Sequence, residues 1–183
     1  MATTTRITAD EFLARPEEER FAQLIGGEVV VTPPTLHHQG IVGELHWRLM
    51  TWAREKPGRG LVWSEVAVRV GDRDVFVPDV VWVAEDNRPA PGATVLTSPP
   101  DLAIEVRSPS TWRYDIGAMK DGYEHAGLRE LWLVDHQSGS VIVFGRTRPG
   151  RAGFDVALEV SPPEPLRSPQ LPGFSLDLTK LFA

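Results

Sequence analysis

The chain has 183 residues, of which 42% are hydrophobic and 24% charged, and it carries a net charge of −6 with a pI near 5.4. That is the size and composition of one globular domain, residues 1–183. It argues against broad, non-specific affinity for nucleic acid, which needs a basic surface. An acidic site that gathers cations remains compatible with it.

The absence of cysteine excludes disulfides and thiolate metal centres. The first residues hold no apolar run of signal-peptide length, and no stretch is long and apolar enough for a bilayer. The expectation is a soluble, cytoplasmic protein with no membrane partner.

In chain order, Thr8 to Glu11 reads as a capping box opening a short helix that ends near Pro16 or soon after. Gly26-Gly27, set between two apolar runs, predicts a tight hairpin, and Pro33-Pro34 stops its second strand. From His38 to about Glu55, Ile41, Leu45, Leu49 and Trp52 recur every three or four residues with Val42 beside them. This is one face of an amphipathic helix.

Two strands are expected over residues 61–70 and 74–83, joined at Gly71 to Arg73. Residues 85–100, rich in Pro, Gly and Ala, read as a loop, and residues 101–108 as a buried strand. Asp115 reads as the N-cap of a helix that carries Ile116, Met119 and Tyr123 and ends at Gly127. A hairpin across Gln137 to Gly139, a strand over 154–160 and a Pro-rich tail with one final helical turn complete the chain. The fold class is α/β or α+β, with a mixed sheet flanked by helices and additional β-hairpins. The six tryptophans, scattered over strands and helices, read as core.

Glu105 sits in an otherwise apolar strand. A buried carboxylate is costly unless it is paired or binds a metal. Strand alternation points Glu105 and Arg107 one way, and Ile104 and Val106 the other. The alternatives are an edge-strand surface Glu or a Glu–Arg pair. Asp79 is likewise a lone acid in an apolar run. Pro78 before it cannot donate a ladder hydrogen bond and implies an edge or a bulge, which can re-aim a side chain. A plain Pro-Asp turn is the alternative.

Together the two carboxylates suit a hard divalent cation, which takes one or two carboxylates and keeps several waters. The backbone carbonyl of Val106 is a candidate further ligand. Lys120 could steady charge on a phosphate, though its spacing alone favours a solvated helix-surface lysine. His37 and His38, at a helix start, read as surface or capping residues before metal ligands.

Pro78-Asp79, the run Glu105 to Thr111, then Asp115, Lys120 and Tyr123, and the run Glu130 to Asp135 together resemble the Uma2 family (DUF820) of the PD-(D/E)XK nuclease superfamily. Pro33-Pro34 with His38-Gln39 and Leu171-Pro172-Gly173 extend the resemblance over nearly the whole chain. It implies a restriction-endonuclease-like core and a Mg²⁺-dependent endonuclease that hydrolyses DNA with a metal-activated water, Mn²⁺ being a substitute. It implies Asp79 and Glu105 as metal ligands and as catalytic residues with Lys120.

The superfamily lysine usually stands two residues after the glutamate, where this chain has Arg107. The following helix then supplies Lys120, and Arg107 touches phosphate or pairs with an acid. Tyr123 packs against or orients the site, Asp115 and His38 line it, and Gln23 occupies a position where the family usually shows Glu. Gln is a weaker partner for Mg²⁺, so a degenerate, non-catalytic binding module is the alternative. The exposed strand edges and the resemblance suggest a homodimer.

Overall fold

A computed structural model describes residues 6–15, 22–108 and 112–183, without the side chains of Arg113 and Asp115. Helix α1 (Ala9–Leu13) opens on Thr8. The Thr8 hydroxyl accepts from the Glu11 amide while the Glu11 carboxylate accepts from the Thr8 amide, which is the capping box expected. The helix ends at Leu13, and Pro16 lies outside the described residues.

Strands β1 (Ala22–Ile25) and β2 (Glu28–Val31) pair with Ile25 opposite Glu28. Gly26 (φ 58°) and Gly27 (φ 84°) make the two-residue turn, both in the left-handed region that glycine tolerates. Helix α2 (Leu36–Glu55) is capped by the Thr35 hydroxyl, which accepts from the His38 amide. Its buried face holds Ile41, Val42, Leu45, Leu49 and Trp52, as the periodicity predicts.

The two long strands expected over 61–83 are four short ones: β3 (Leu61–Ser64), β4 (Ala67–Gly71), β5 (Asp74–Phe76) and β6 (Val80–Val83). The hairpin is bent in both arms. Glu65 takes a left-handed φ of 54° in one arm, and Pro78, which has no N–H, interrupts the other. The bend passes the chain between two sheets, since β3 and β6 belong to one and β4 and β5 to the other. The expected loop over 85–100 also contains β7 (Val95–Leu96), which lies parallel to β4.

Strand β8 (Leu102–Val106) leads into α3 (Trp112–Tyr114), a π-helical turn (Asp115–Met119) kinked at Gly117, and α4 (Lys120–Ala126). Asp115 is therefore not an N-cap, because helical backbone already begins at Trp112. Gly127 ends α4 as expected. Strands β9 (Glu130–Asp135), β10 (Ser140–Gly145) and β11 (Val156–Val160) and helix α5 (Leu178–Leu181) follow.

One sheet has the order β2-β1-β5-β4-β7, and the other β11-β10-β9-β8-β6-β3. Within the larger sheet β8 and β9 are parallel, and the remaining pairs are antiparallel. Strand alternation divides the core. Leu102, Ile104, Val106, Trp132 and Val134 pack toward α2, whereas Ala103, Leu131 and Leu133 pack with Met119 and Tyr123 of the α3–α4 segment. The sheet is thus mixed and covered by helices on both faces. Trp52, Trp82 and Trp132 are core residues, but Trp47 is 55% exposed, a departure from the core reading of the tryptophans.

Candidate active site

The site lies where β8 and β9 end. Ligand sites of α/β sheets gather at the carboxyl ends of parallel strands because the chain leaves the sheet there and exposes new side chains. The β6–β8 ladder ends at Val80↔Ile104, one residue short of Asp79 and of Glu105, so both acids stand at the end of this ladder. Asp79 follows Pro78, at the bend where the chain changes sheets, so the sequence break itself delivers the carboxylate to this edge.

Asp79 is tightly held. Its Oδ2 accepts from the Val106 amide at 2.7 Å and lies 3.2 Å from His38 Nε2. The same His38 nitrogen is 3.1 Å from the Val106 carbonyl. A nitrogen that faces a carboxylate oxygen and a carbonyl must carry the hydrogen, so His38 is protonated at Nε2. His38 is 5% exposed and lines the site, with the first turn of α2 fixing it there.

Glu105 is 6% exposed, and its Oε1 accepts from the Tyr123 hydroxyl at 2.8 Å. Tyr123 is in turn fixed edge-on against Phe76, with ring centroids 5.0 Å apart. Glu105 is therefore neither an exposed edge residue nor the partner of Arg107. Arg107 instead bonds Asp135 Oδ2 at 2.6 Å and lies over the Trp112 ring. Burial works to raise the Asp135 carboxyl. Hydrogen bonds from the Gln137 amide, Arg107 and Ser138 outweigh it and hold the group below the ordinary Asp range.

Gln23, on β1, reaches the Asp79 segment, with its Oε1 3.5 Å from the Val77 amide. Lys120 stands one turn before Tyr123, but its ammonium is taken by Glu124 (2.8 Å) and Asp121 (3.1 Å). The Glu124 hydrogen bond, chiefly, raises the Lys120 pKa. Lys120 also lies over Phe144 of β10. The structure thus joins Asp79, Val106 and His38 in one group and Glu105 with Tyr123 in a second, the two meeting through neighbouring residues of β8. It sets Gln23 near the Asp79 segment and pairs Lys120 with acids of its own helix. The side chain of Asp115 lies outside the described residues.

Other buried acids have structural duties. Glu130 accepts from Trp132, Ser168 and Gln170, and Asp101 from Ala84 and Asn87. Among the described residues no group of three or more His, Asp or Glu side chains is arranged to hold a metal. The donors present do fit a hard divalent cation of low protein coordination. They are two carboxylates at the end of the β6–β8 ladder and the peptide carbonyl of Val106, and all are oxygens.

His136 escaped the sequence reading. It directly follows β9, and its ring meets that of His37 at 4.8 Å between centroids. The signal was its position, since polar residues just after central strands mark this edge in both Arg107-Ser108 and Asp135-His136.

A mixed sheet between helices, with one acid near the end of β8 and another at the bend before β6, defines an α+β protein of restriction-endonuclease-like architecture. The chain belongs to the Uma2 family, described as "putative restriction endonuclease", whose sequence pattern matches residues 9–179. Its fold is similar to that of a protein from Anabaena variabilis ATCC 29413, described as a "putative nuclease belonging to DUF820", with TM-score 0.80 and 24% identity over 96% of this chain and 97% of that one. No curated protein matches the chain. Among the described residues no helix is long and apolar enough to cross a membrane.

Proposed function

We propose that the chain is a Mg²⁺-dependent endonuclease that hydrolyses phosphodiester bonds of DNA, with Mn²⁺ able to replace Mg²⁺. The observation that supports this reading is the hydrogen bond from the Val106 amide to Asp79, which ties that carboxylate to the residue directly after Glu105. Asp79, Glu105 and the Val106 carbonyl would hold the ion. When bound, it supplies charge neutralisation at the scissile phosphate and acidifies a water.

The chain's own residues do the positioning. The Val106 amide and His38 hold the Asp79 carboxylate in one orientation. Tyr123 holds Glu105 in its buried place, where a loose carboxylate would be costly. Gln23 contributes a neutral oxygen beside the Asp79 segment. Lys120 assists once its ammonium leaves Glu124 for a substrate phosphate, a change that its flexible four-carbon stem permits.

A supercoiled-plasmid nicking assay with Mg²⁺ or Mn²⁺ tests the reading. Nicking is expected in the wild type and absent in Asp79→Ala and Glu105→Ala. Nicking that survives Asp79→Ala overturns it. The pairing of Lys120 with Glu124 and the neutral Gln23 favour a second reading, a non-catalytic binding module. A silent wild type that gains nicking through Gln23→Glu supports that one. A homodimer belongs to the first reading, and a sedimentation mass of one chain overturns that part.

A further inference from the structure

We infer that His37 and His136 form a phosphate-receiving pair beside the two carboxylates, on which a phosphodiester of the nucleic acid seats. The inference rests on the nuclease reading and names the part of the site that meets the substrate backbone.

The two rings come from separate elements, His37 from the first turn of α2 and His136 from the residue after β9, yet they meet edge to face at 4.8 Å. Nothing in local sequence forces that meeting; the fold makes it. With His38, three of the chain's five histidines stand at this one edge of the sheet. Arg107, after β8, completes the group. On a chain of net charge −6, a nucleic-acid backbone must be met by such a local cluster.

The surroundings are prepared for an anion. His136 Nδ1 is buried and has no hydrogen-bond partner among the described residues. Among the described residues no group therefore fixes the tautomer of this ring, and its other nitrogen is left to carry a proton toward an anion. The first turn of α2 carries no acid, so no side chain there competes for its amide groups. The charged and titratable groups that act on His136 are His37 and His38 from α2, Arg107 from the end of β8, and Asp135 from its own strand. Asp135 is engaged by Arg107 and by the amides of Gln137 and Ser138, which limits its pull on the ring.

Burial and then the neighbouring His37 hold His136 below the ordinary imidazole range. The free ring is therefore neutral near pH 7. A phosphodiester favours the charged form, so the imidazole pKa rises in the complex and binding takes up a proton. Affinity is then highest at low pH and falls as pH rises through the pKa of the complex, within the histidine range of about pH 5 to 8.

The test uses a labelled duplex DNA oligonucleotide with EDTA present throughout, which blocks cleavage and any metal-bridged contact. Binding is followed by fluorescence anisotropy across that pH range for the wild type, His136→Gln, His37→Gln and the double variant. Circular dichroism checks that each variant is folded, and His136→Asn stands in if His136→Gln is not. Calorimetry in two buffers of different ionisation heat counts protons. The wild type should lose about ten-fold in affinity from the acid to the alkaline end and take up a fraction of a proton. The double variant should bind more weakly at low pH, with a flat profile and no proton uptake.

A double variant that keeps the wild-type affinity and pH profile overturns the inference, as does a wild type that does not bind. A separate Mg²⁺ nicking assay keeps the two readings apart. Nicking with an unaltered double variant sinks only the histidine pair. Binding that depends on the pair, without nicking under any metal, sinks only the nuclease.

Discussion

Tyr123 and Glu105 show how a single hydroxyl can decide whether an acid is usable. Glu105 is 6% exposed and its carboxylate accepts from the Tyr123 hydroxyl at 2.8 Å. Tyr123→Phe keeps the ring packed on Phe76 and removes that donor. The loss should cost about 1–3 kcal/mol, because a buried carboxylate loses a hydrogen bond that water cannot replace. Urea unfolding of the two proteins measures it, and an unchanged midpoint would show that the hydroxyl does not hold Glu105. At this scale the sequence was informative where a residue broke a pattern. Glu105 in an apolar strand and Asp79 after Pro78 were both visible as exceptions. The partners were not visible, because His38, Val106 and Tyr123 meet the acids through pairings distant in the chain. Lys120 was legible as a cation, but its contact with Glu124 one turn on was not anticipated, although that spacing is itself a standard helix pair.

At the scale of elements, the Thr8 capping box, the Gly26-Gly27 turn, the Gly127 stop and the face of α2 followed from local rules and appear where those rules put them, whereas the expected cap at Asp115 does not. The strands over 61–83 did not. Each arm is apolar enough to read as one strand, and only Pro78 hinted at the break. The Glu65 bend carries no propensity signal, since a left-handed Glu is held there by tertiary context. The helix after β8 also differed, since helical backbone starts at Trp112 and is kinked at Gly117, where φ −117° and ψ −106° are non-helical. Packing sets the approach of α4. A Cβ placed on Gly122 would sit 2.7 Å from Cζ and 2.8 Å from Cε2 of Phe76. Phe76 is fully buried and packed edge-on against Tyr123 of the same helix, which leaves it little room to swing away. Gly122→Ala gains helix propensity yet should destabilise by about 1–3 kcal/mol through overpacking. A thermal midpoint raised by the substitution would mean that α4 can move off the strand freely, contrary to this packing.

For the whole molecule, the location of the site ties its occupancy to the way the two sheets are joined. Asp79 lies on the bend between β5 of one sheet and β6 of the other, while Glu105 belongs to the centre of the larger sheet. A cation shared by these two carboxylates would bind the native arrangement and not the unfolded chain. Such binding stabilises by about 2.7 kcal/mol when the ion is at a hundred times its dissociation constant. In a chain of this size that corresponds to a rise of several degrees in Tm, on the order of 2–4 °C per kcal/mol. Millimolar Mg²⁺ should therefore raise the Tm of the wild type, and the rise should vanish in Asp79→Asn and in Glu105→Gln. Lys120→Ala should keep it, because the Lys120 ammonium is bound to Glu124 and Asp121 and not to either acid opposite it. Differential scanning calorimetry with and without the ion makes the comparison. A Mg²⁺-dependent rise of equal size in Asp79→Asn would place the cation elsewhere, and Asp79 would then serve only to fasten the bend to the end of β8.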